Sequence, residues 1–302
     1  MNTINLIAGF DPDNPLNDDL ERAANKVGYN LRRITHIDSE KIRTGDLQDE
    51  LPDNVLWRRE LFQNTPEEND LVWKWLDENK KITMNTHVNG GRIQSMDKMF
   101  QQQAYVKMPE LAENSIPTFV AKDVPDLIRI MNEEDLTFPL LLKPRYGTLG
   151  KGIVVMRDMQ ELLTAMTEIP DLTEMILEPY IDSDYDWRVF VIGGKGIGVM
   201  RKAGREGEPY DFEARSAGIQ KWNETDEMLA QEMKRVAELA AKAMNLEYAG
   251  VDLIRDKNTG RIYVVETNIS GGWYNGFSKI TGVDVADKIV EWFVEQNKHL
   301  AK

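Results

Sequence analysis

The chain has no cysteine among its 302 residues, and that one absence excludes disulfides, thiolate nucleophiles and thiolate metal ligands together. Histidine is almost as scarce. His36, His87 and His299 lie far apart, which leaves neither a histidine-built zinc site nor a histidine-based triad. No apolar run is long enough to span a bilayer, and the start, MNTINLIAGFDPDNP, lacks the basic segment and small-residue cleavage site of a secretory signal. A cytoplasmic location is the expectation these absences leave. Basic residues are outnumbered, 37 Lys and Arg against 51 Asp and Glu, for a formal charge of −14. Such a balance opposes general affinity for nucleic acid or an anionic membrane. The glycine fingerprint of dinucleotide sites is missing as well: after the first strand-like run, Gly9 is followed by Phe10-Asp11-Pro12, so NAD is not expected.

What remains is an ordinary globular composition, 41% hydrophobic, long enough for two or three compact units. Residues 1 to about 90 alternate strand-like and helical patterns. Residues 4–10, 54–57 and 81–84 read as strands. Asp18, with Glu21 three residues on, reads as a helix start whose inner face is Leu20, Ala23, Ala24 and Val27. Thr65-Pro66-Glu67-Glu68 supplies cap, first-turn proline and capping-box acid for a second helix holding Leu71, Val72 and Trp75. The βαβα order predicts a small parallel sheet flanked by helices. Asn89-Gly90-Gly91 marks a break, followed by a helix over 95–112, an extended stretch over 116–121, a helix over 124–131 and a strand over 138–142.

That strand ends in Lys143-Pro144-Arg145 and runs into Tyr146-Gly147-Thr148-Leu149-Gly150-Lys151-Gly152, before a strand over 153–156. A glycine-rich loop between strands lets backbone N–H groups approach a polyphosphate. It is not a Walker A loop, since neither the GxxxxGK[ST] spacing nor the following helix is present; the alternative is a plain hairpin with a flexible tip. Further strands are read over 175–180, 186–192 and 196–201. Helices over 227–244, with core stripe Leu229, Met233, Val236, Ala237 and Ala240, and over 285–295, using Ile289, Trp292 and Phe293, complete the outline. Against the acidic background, Arg188, Lys195, Arg201, Lys202, Arg205 and Arg215 form a local basic cluster, either an anion site or a solvated charged face.

Near the C-terminal end, residues 248–254 and 261–265 read as two strands joined by a turn at Asp256-Lys257-Asn258-Thr259-Gly260. Their pairing sets Asp252 beside Glu266, and Asn268 is two residues beyond Glu266, hence on the same side. Three hard oxygen donors suit Mg²⁺, which keeps waters and shares substrate phosphates; polar residues at a hairpin rim are the bland alternative.

Taken in order, these features resemble the ATP-grasp superfamily over essentially the whole chain, most closely its RimK-like branch of carboxylate-amine ligases, and by single motifs D-alanine:D-alanine ligase. The resemblance implies an α/β and α+β fold, with a preATP-grasp α/β domain over 1–93, a small lobe with the phosphate loop over 94–175, and a C-terminal lobe with the metal site over 176–302, ATP lying between the lobes. It implies phosphate-contacting lysines at Lys98 and Lys143, and a phosphate loop using Gly147, Gly150 and Lys151. Adenine would be held at Glu178, Tyr180 and Ile181, ribose at Asp186 and the terminal phosphates at Arg215. It also implies magnesium, or manganese, at Asp252, Glu266 and Asn268.

The chain departs from the pattern in three places. Asn268-Ile269-Ser270-Gly271 replaces Asn-x-Ser-Pro, and Ala217 stands where a polar residue is common. Gly250 stands where D-alanine:D-alanine ligases have an arginine that binds the developing acyl phosphate. The last argues against dipeptide ligation of that kind and leaves Arg188, with Arg215, as the catalytic candidates. The implied reaction joins a small-molecule or peptide carboxylate to an amine through an acyl phosphate. The alternatives are a kinase of the same fold and a nucleotide-binding regulatory protein. Arg58 and Arg59 are candidates for gripping the carboxylate. Trp273 and Tyr274 are candidates for lining the acceptor side, unless both are core. No nucleic-acid or membrane partner is expected, and a homo-oligomer is expected by analogy only.

Overall fold

The computed structural model describes residues 2–7, 14–51, 55–57, 63–79, 81, 83–85, 87–147, 149–204, 212–218, 220–273 and 276–298. Three sheets organise them. The first comes from β1 (Asn2–Ile7), α1 (Pro15–Lys26), β2 (Tyr29–Ile34), α2 (Ser39–Thr44), β3 (Val55–Trp57) and α3 (Pro66–Glu78). Its strands run parallel in the order β2-β1-β3. Alternation along β1 sends Ile4 and Leu6 to one core, with Leu20 and Ala24, and Ile7 to another, with Val72 and Leu76. Both faces are thus covered, as parallel sheets require.

Three readings need correction here. The first helix begins at Pro15 rather than Asp18, because Asn14 caps it and proline is suited to the first turn. Strand β2 is absent from the sequence reading: Tyr-Asn-Leu-Arg-Arg-Ile carries half-exposed polar residues along an edge strand and so shows no continuous apolar run. Of 81–84, residues 81, 83 and 84 form no strand; Lys81, Thr83 and Met84 are buried nonetheless. The capping box at Thr65 and Glu68 is present as read.

The second sheet follows α4 (Gly91–Gln94), α5 (Lys98–Val106) and α6 (Val124–Glu133). It comprises β4 (Leu140–Pro144), β5 (Val154–Met156) and, after α7 (Met159–Glu168), β6 (Met175–Pro179). Its order is β5-β4-β6, antiparallel, over a core of Leu127, Leu140, Leu142, Met156, Leu162 and Leu177. Of the helix read over 95–112, only Lys98–Val106 is α-helical; Asp97 accepts from the Met99 N–H and so sets its start, and turns follow it.

The third sheet is built from β7 (Asp186–Ile192), β8 (Lys195–Ala203), α8 (Phe212–Ala217), β9 (Gln220–Asn223), α9 (Glu227–Ala243), β10 (Tyr248–Arg255) and β11 (Ile262–Asn268). The chain then closes with α10 (Phe277–Thr281) and α11 (Val285–Asn297). Five antiparallel strands lie in the order β11-β10-β7-β8-β9. One face, with Trp187, Val189, Val199, Val251 and Leu253, packs on the apolar stripe of α9. On the other, Phe190, Ile192, Met200 and Tyr248 pack against Trp273, Phe277 and α11, and the same face also carries the polar residues Arg188, Lys202 and Asp252.

Helix α5 seals the outer edge of β11 with side-chain amides. Gln101 accepts from the Thr267 N–H at 2.9 Å and donates to the Thr267 carbonyl at 3.0 Å, while Gln102 donates to the Val264 carbonyl at 2.8 Å. Buried backbone groups at an open edge would otherwise be unpaired. The helix that begins with Lys98 is therefore bonded to the strand that carries Glu266 and Asn268.

Candidate active site

The polar face is assembled by register. Asp252 on β10 stands opposite Glu266 on β11 and opposite Arg188 on β7, and Gly250 stands opposite Asn268. Arg188 grips Asp252 through both carboxylate oxygens, Nε to Oδ1 at 2.7 Å and Nη2 to Oδ2 at 2.6 Å. Lys202 Nζ lies 3.4 Å from the same Oδ1. Burial pushes the Asp252 carboxyl up, but Arg188 and Lys202 outweigh it and hold the group below the usual aspartate value. It is therefore charged at neutral pH.

Asn268 Nδ2 donates to Asp252 Oδ2 at 3.1 Å and to Glu266 Oε1 at 3.0 Å. One amide thus bridges two carboxylates. Rotating that amide by half a turn, which exchanges atoms nearly indistinguishable in shape, would set three oxygens around one point, a donor set for a hard divalent cation. Among the described residues no group of three or more His, Cys, Asp or Glu is arranged to hold a metal ion, and the set here counts two carboxylates and an amide. A cation here would keep positions for water and phosphate, as Mg²⁺ does. The three residues fit the ion their sequence pattern implied.

Two lysines approach from the other side. Lys98, at the start of α5, donates from its backbone to the Arg145 carbonyl at 3.2 Å and from Nζ to the Gly147 carbonyl at 3.0 Å. Its Nζ is 3.7 Å from Glu266 Oε2. Burial, opposed by Glu266 and reinforced by Lys143, lowers the Lys98 ammonium from the ordinary lysine value. Lys143 on β4 pairs with Glu178 on β6 at 2.8 Å, both buried, and Glu178 also accepts from Thr118 Oγ1 at 3.0 Å. The Glu178 carboxylate, read as an adenine contact, is thus already shared by Lys143 and Thr118.

The glycine loop lies between β4 and β5. At Gly150, φ is +71° and a Cβ would sit 2.4 Å from the Phe212 carbonyl oxygen, so only glycine allows the loop this close to α8. Asp97 ties the base of the loop to α5: buried, it pairs with Arg145 and accepts from Tyr146 Oη at 3.3 Å. Burial raises the Asp97 carboxyl, and the bonds from Arg145, Met99 and Tyr146 more than reverse that. Neither Asp97 nor Thr118 was singled out in the sequence; an aspartate directly before a lysine at a helix start was the available sign for the first.

Other candidates fall as follows. Tyr180 and Ile181 follow β6, with the Tyr180 N–H on the Pro139 carbonyl at 3.1 Å, and Asp186 opens β7 opposite Lys202. Lys151 is exposed on the loop. Arg58, Arg59, Arg205 and Tyr274 lie outside the described residues, as does the side chain of Arg215, whose backbone is in α8.

Two groupings change. Trp273 is core rather than acceptor lining: it is buried, edge-on to Tyr248, with its indole N–H on Asp19 at 3.0 Å. The basic cluster divides, because neighbouring strand residues face opposite ways. Arg188 and Lys202 face Asp252, whereas Arg201 lies between the rings of Tyr185 and Trp222 on the opposite face and Lys195 is exposed at the β7–β8 turn.

A model of the RimK-like ATP-grasp domain matches residues 95–293, which include both lysines, the loop and all three oxygen donors. The chain belongs to the RimK-like ATP-grasp family. Curated relatives of this RimK-like chain include a probable alpha-L-glutamate ligase of Picosynechococcus sp., 37% identical over 163 residues, which are 53% of this chain and 51% of the relative. A second, from Shewanella denitrificans, is 35% identical over 178 residues, 58% and 55% of the two chains. The chain spans about half the length of the curated relatives it matches. Among solved structures, the ATP-grasp ligase PsnB with minimal precursor, Mg and ADP aligns with a TM-score of 0.71 at 17% identity, over 98% of this chain and 97% of that one. The D-alanine–D-alanine ligase of Bacillus anthracis with ATP aligns at 0.63 and 16%, over 99% and 98%. The RimK-like chain therefore has the ATP-grasp fold over its whole length.

Proposed function

We propose that this protein is an ATP-dependent carboxylate-amine ligase that forms an amide or peptide bond through an acyl phosphate. The observation that carries the reading is the convergence of Asp252, Glu266 and Asn268 with Lys98 at the carbonyl of Gly147, which puts three oxygen-bearing side chains and the glycine-rich loop side by side. The names of the curated relatives support an amino acid as the amine, and the three units proposed are residues 1–93, 94–175 and 176–302.

A carboxylate oxygen is a poor leaving group, so direct attack by an amine at neutral pH is slow. Transfer of the γ-phosphoryl group of ATP to that oxygen, with departure of ADP, gives an acyl phosphate, whose carbonyl carbon an amine attacks with loss of a proton and departure of inorganic phosphate. Mg²⁺ held by Asp252, Glu266 and Asn268 would neutralise phosphate charge during the transfer. Lys98 and Lys143 supply fixed positive charge to the phosphates, and the loop at Gly147–Gly152 covers them and excludes water. Arg188 is the proposed donor to the tetrahedral oxyanion formed when the amine attacks. Its Nε and Nη2 are committed to Asp252, and its Nη1 lies beside Gly250 and Gly271, 3.0 and 3.4 Å from where their Cβ atoms would be. The arginine absent at position 250 is thereby supplied from the neighbouring strand.

The test is ADP release from Mg-ATP across a panel of carboxylates, with and without pooled amino acids, and with hydroxylamine to trap acyl phosphates. Carboxylate-dependent ADP with a hydroxamate product is the expected result. A stable phosphorylated product without hydroxamate would replace the ligase with a kinase. Tight nucleotide binding with no ADP release on any acceptor would favour a regulatory protein.

A further inference from the structure

Lys202 on β8 and Lys221 on β9 are directly opposed in the sheet register, on the face that carries Arg188 and Asp252. Like charges opposite each other on one face repel, and solvent does little to separate these two: Lys202 is buried and Lys221 half-buried. Their stems pack side by side against Gly218. A Cβ there would lie 2.8 Å from Lys221 Cε and 3.3 Å from Cβ and Cδ of Lys202, at a φ of +63°. The backbone has been left bare where the two lysines meet.

The nearby carboxylate does not satisfy both. Asp252 already has both oxygens on Arg188, and Lys202 reaches it only at 3.4 Å. Among the described residues, the charge that bears on Lys221 is that of Lys202. Arg188 is balanced by Asp252 and Glu266, and Lys202 by Asp252 with Asp186 opposite it in the register, which leaves the excess positive charge at Lys221 in a chain whose overall charge is −14. An anion between the lysines would offset that excess, and ammonium groups, with rotatable donors on flexible stems, suit a single oxyanion.

We propose that Lys202 and Lys221 form an oxyanion subsite at the β8–β9 side of the active site, which takes a carboxylate or phosphate group. The assignment of that group to the ligation reaction rests on the ligase reading; binding of the anion does not. The site differs from the phosphate contacts at Lys98 and Lys143, which belong to α5 and β4.

Calorimetric titration with inorganic phosphate tests it, on the full chain saturated with Mg²⁺ and ADP. Phosphate should bind, Lys221→Met should weaken it about tenfold, and Lys221→Arg should retain most of it. Phosphate should also raise the melting temperature of the parent chain more than that of Lys221→Met. Without phosphate, Lys221→Met should melt no lower than the parent, since the substitution removes a repulsion; this separates lost binding from lost folding. Repeating the titration with a non-hydrolysable ATP analogue identifies the source. Exclusion of phosphate by the analogue assigns the subsite to the nucleotide's terminal phosphate, and persistence assigns it to the other substrate. Equal phosphate affinity in the parent and Lys221→Met, or no binding to the parent, would overturn the proposal. Because no turnover is involved, Lys221-dependent binding in a protein that never releases ADP would leave the subsite standing and sink the ligase reading alone.

Discussion

Arg188 and Arg201 sit on adjacent strands of one sheet and face opposite ways. Arg188 points to the polar face and holds Asp252 by two hydrogen bonds. Arg201, paired in register with Trp187, is on the face packed by α9. Its guanidinium lies 4.6 and 5.2 Å from the ring centres of Tyr185 and Trp222, and its Nε has no hydrogen-bond partner among the described residues. The first arginine orients a carboxylate on the polar face; the second covers aromatic surface. Function in this sheet follows the face, and the face follows strand parity. The same division separates Asp252 from Leu253, which is fully buried among the apolar residues on α9's side.

The largest effects should come from that adjacent pair. Asp252→Ala leaves Arg188 and Lys202 without their carboxylate, and since this ion pair is largely but not fully buried, breaking it from one side should cost up to about 3–5 kcal/mol; urea unfolding measures it, and Mg-dependent nucleotide binding should vanish with it. Leu253→Ala should cost a comparable amount, about 2–5 kcal/mol, yet leave nucleotide affinity within about twofold once the variant is folded. If Leu253→Ala impaired binding as severely as Asp252→Ala, the two faces would not be independent.

A smaller effect is expected in acid. The Asp97 carboxyl is held below its ordinary value by Arg145 and its backbone partner. A group depressed in the folded state stabilises fully above its unfolded pKa, about 3.9 for aspartate, and loses that contribution as pH falls through the lower folded value. Urea midpoints of the parent should therefore drop more steeply than those of Asp97→Asn below about pH 4, and the two profiles should run parallel above pH 5. The smallest effect belongs to Arg201→Met. Loss of two partly exposed ring contacts should cost about 1 kcal/mol or less and leave nucleotide affinity unchanged.

The site was legible where local patterns repeat along the chain. The spacing of Asp252, Glu266 and Asn268 follows from hairpin parity, and the glycine loop and flanking lysines stand together in sequence. What the sequence hid was cross-strand register. Nothing local tells that Lys202 shares Asp252 with Arg188 while its neighbour Arg201 does not, or that Lys221 lies opposite Lys202. Trp273 follows Asn268 by only five residues, yet it turns into the core, where Asp19, on a helix 254 residues earlier, accepts its indole N–H. Edge strands were equally obscure: β2 and β9 carry mixed polar residues, since half their surface meets water.

The central claim is that the polar face of the five-stranded sheet holds a magnesium-nucleotide complex through Glu266 and its neighbours. Calorimetry with a non-hydrolysable ATP analogue, with and without Mg²⁺, tests it most directly on the parent, Glu266→Gln and Arg201→Met. Magnesium should strengthen binding to the parent and to Arg201→Met alike, and Glu266→Gln should lose about tenfold or more of that enhancement. Full retention of the enhancement in Glu266→Gln would contradict the account.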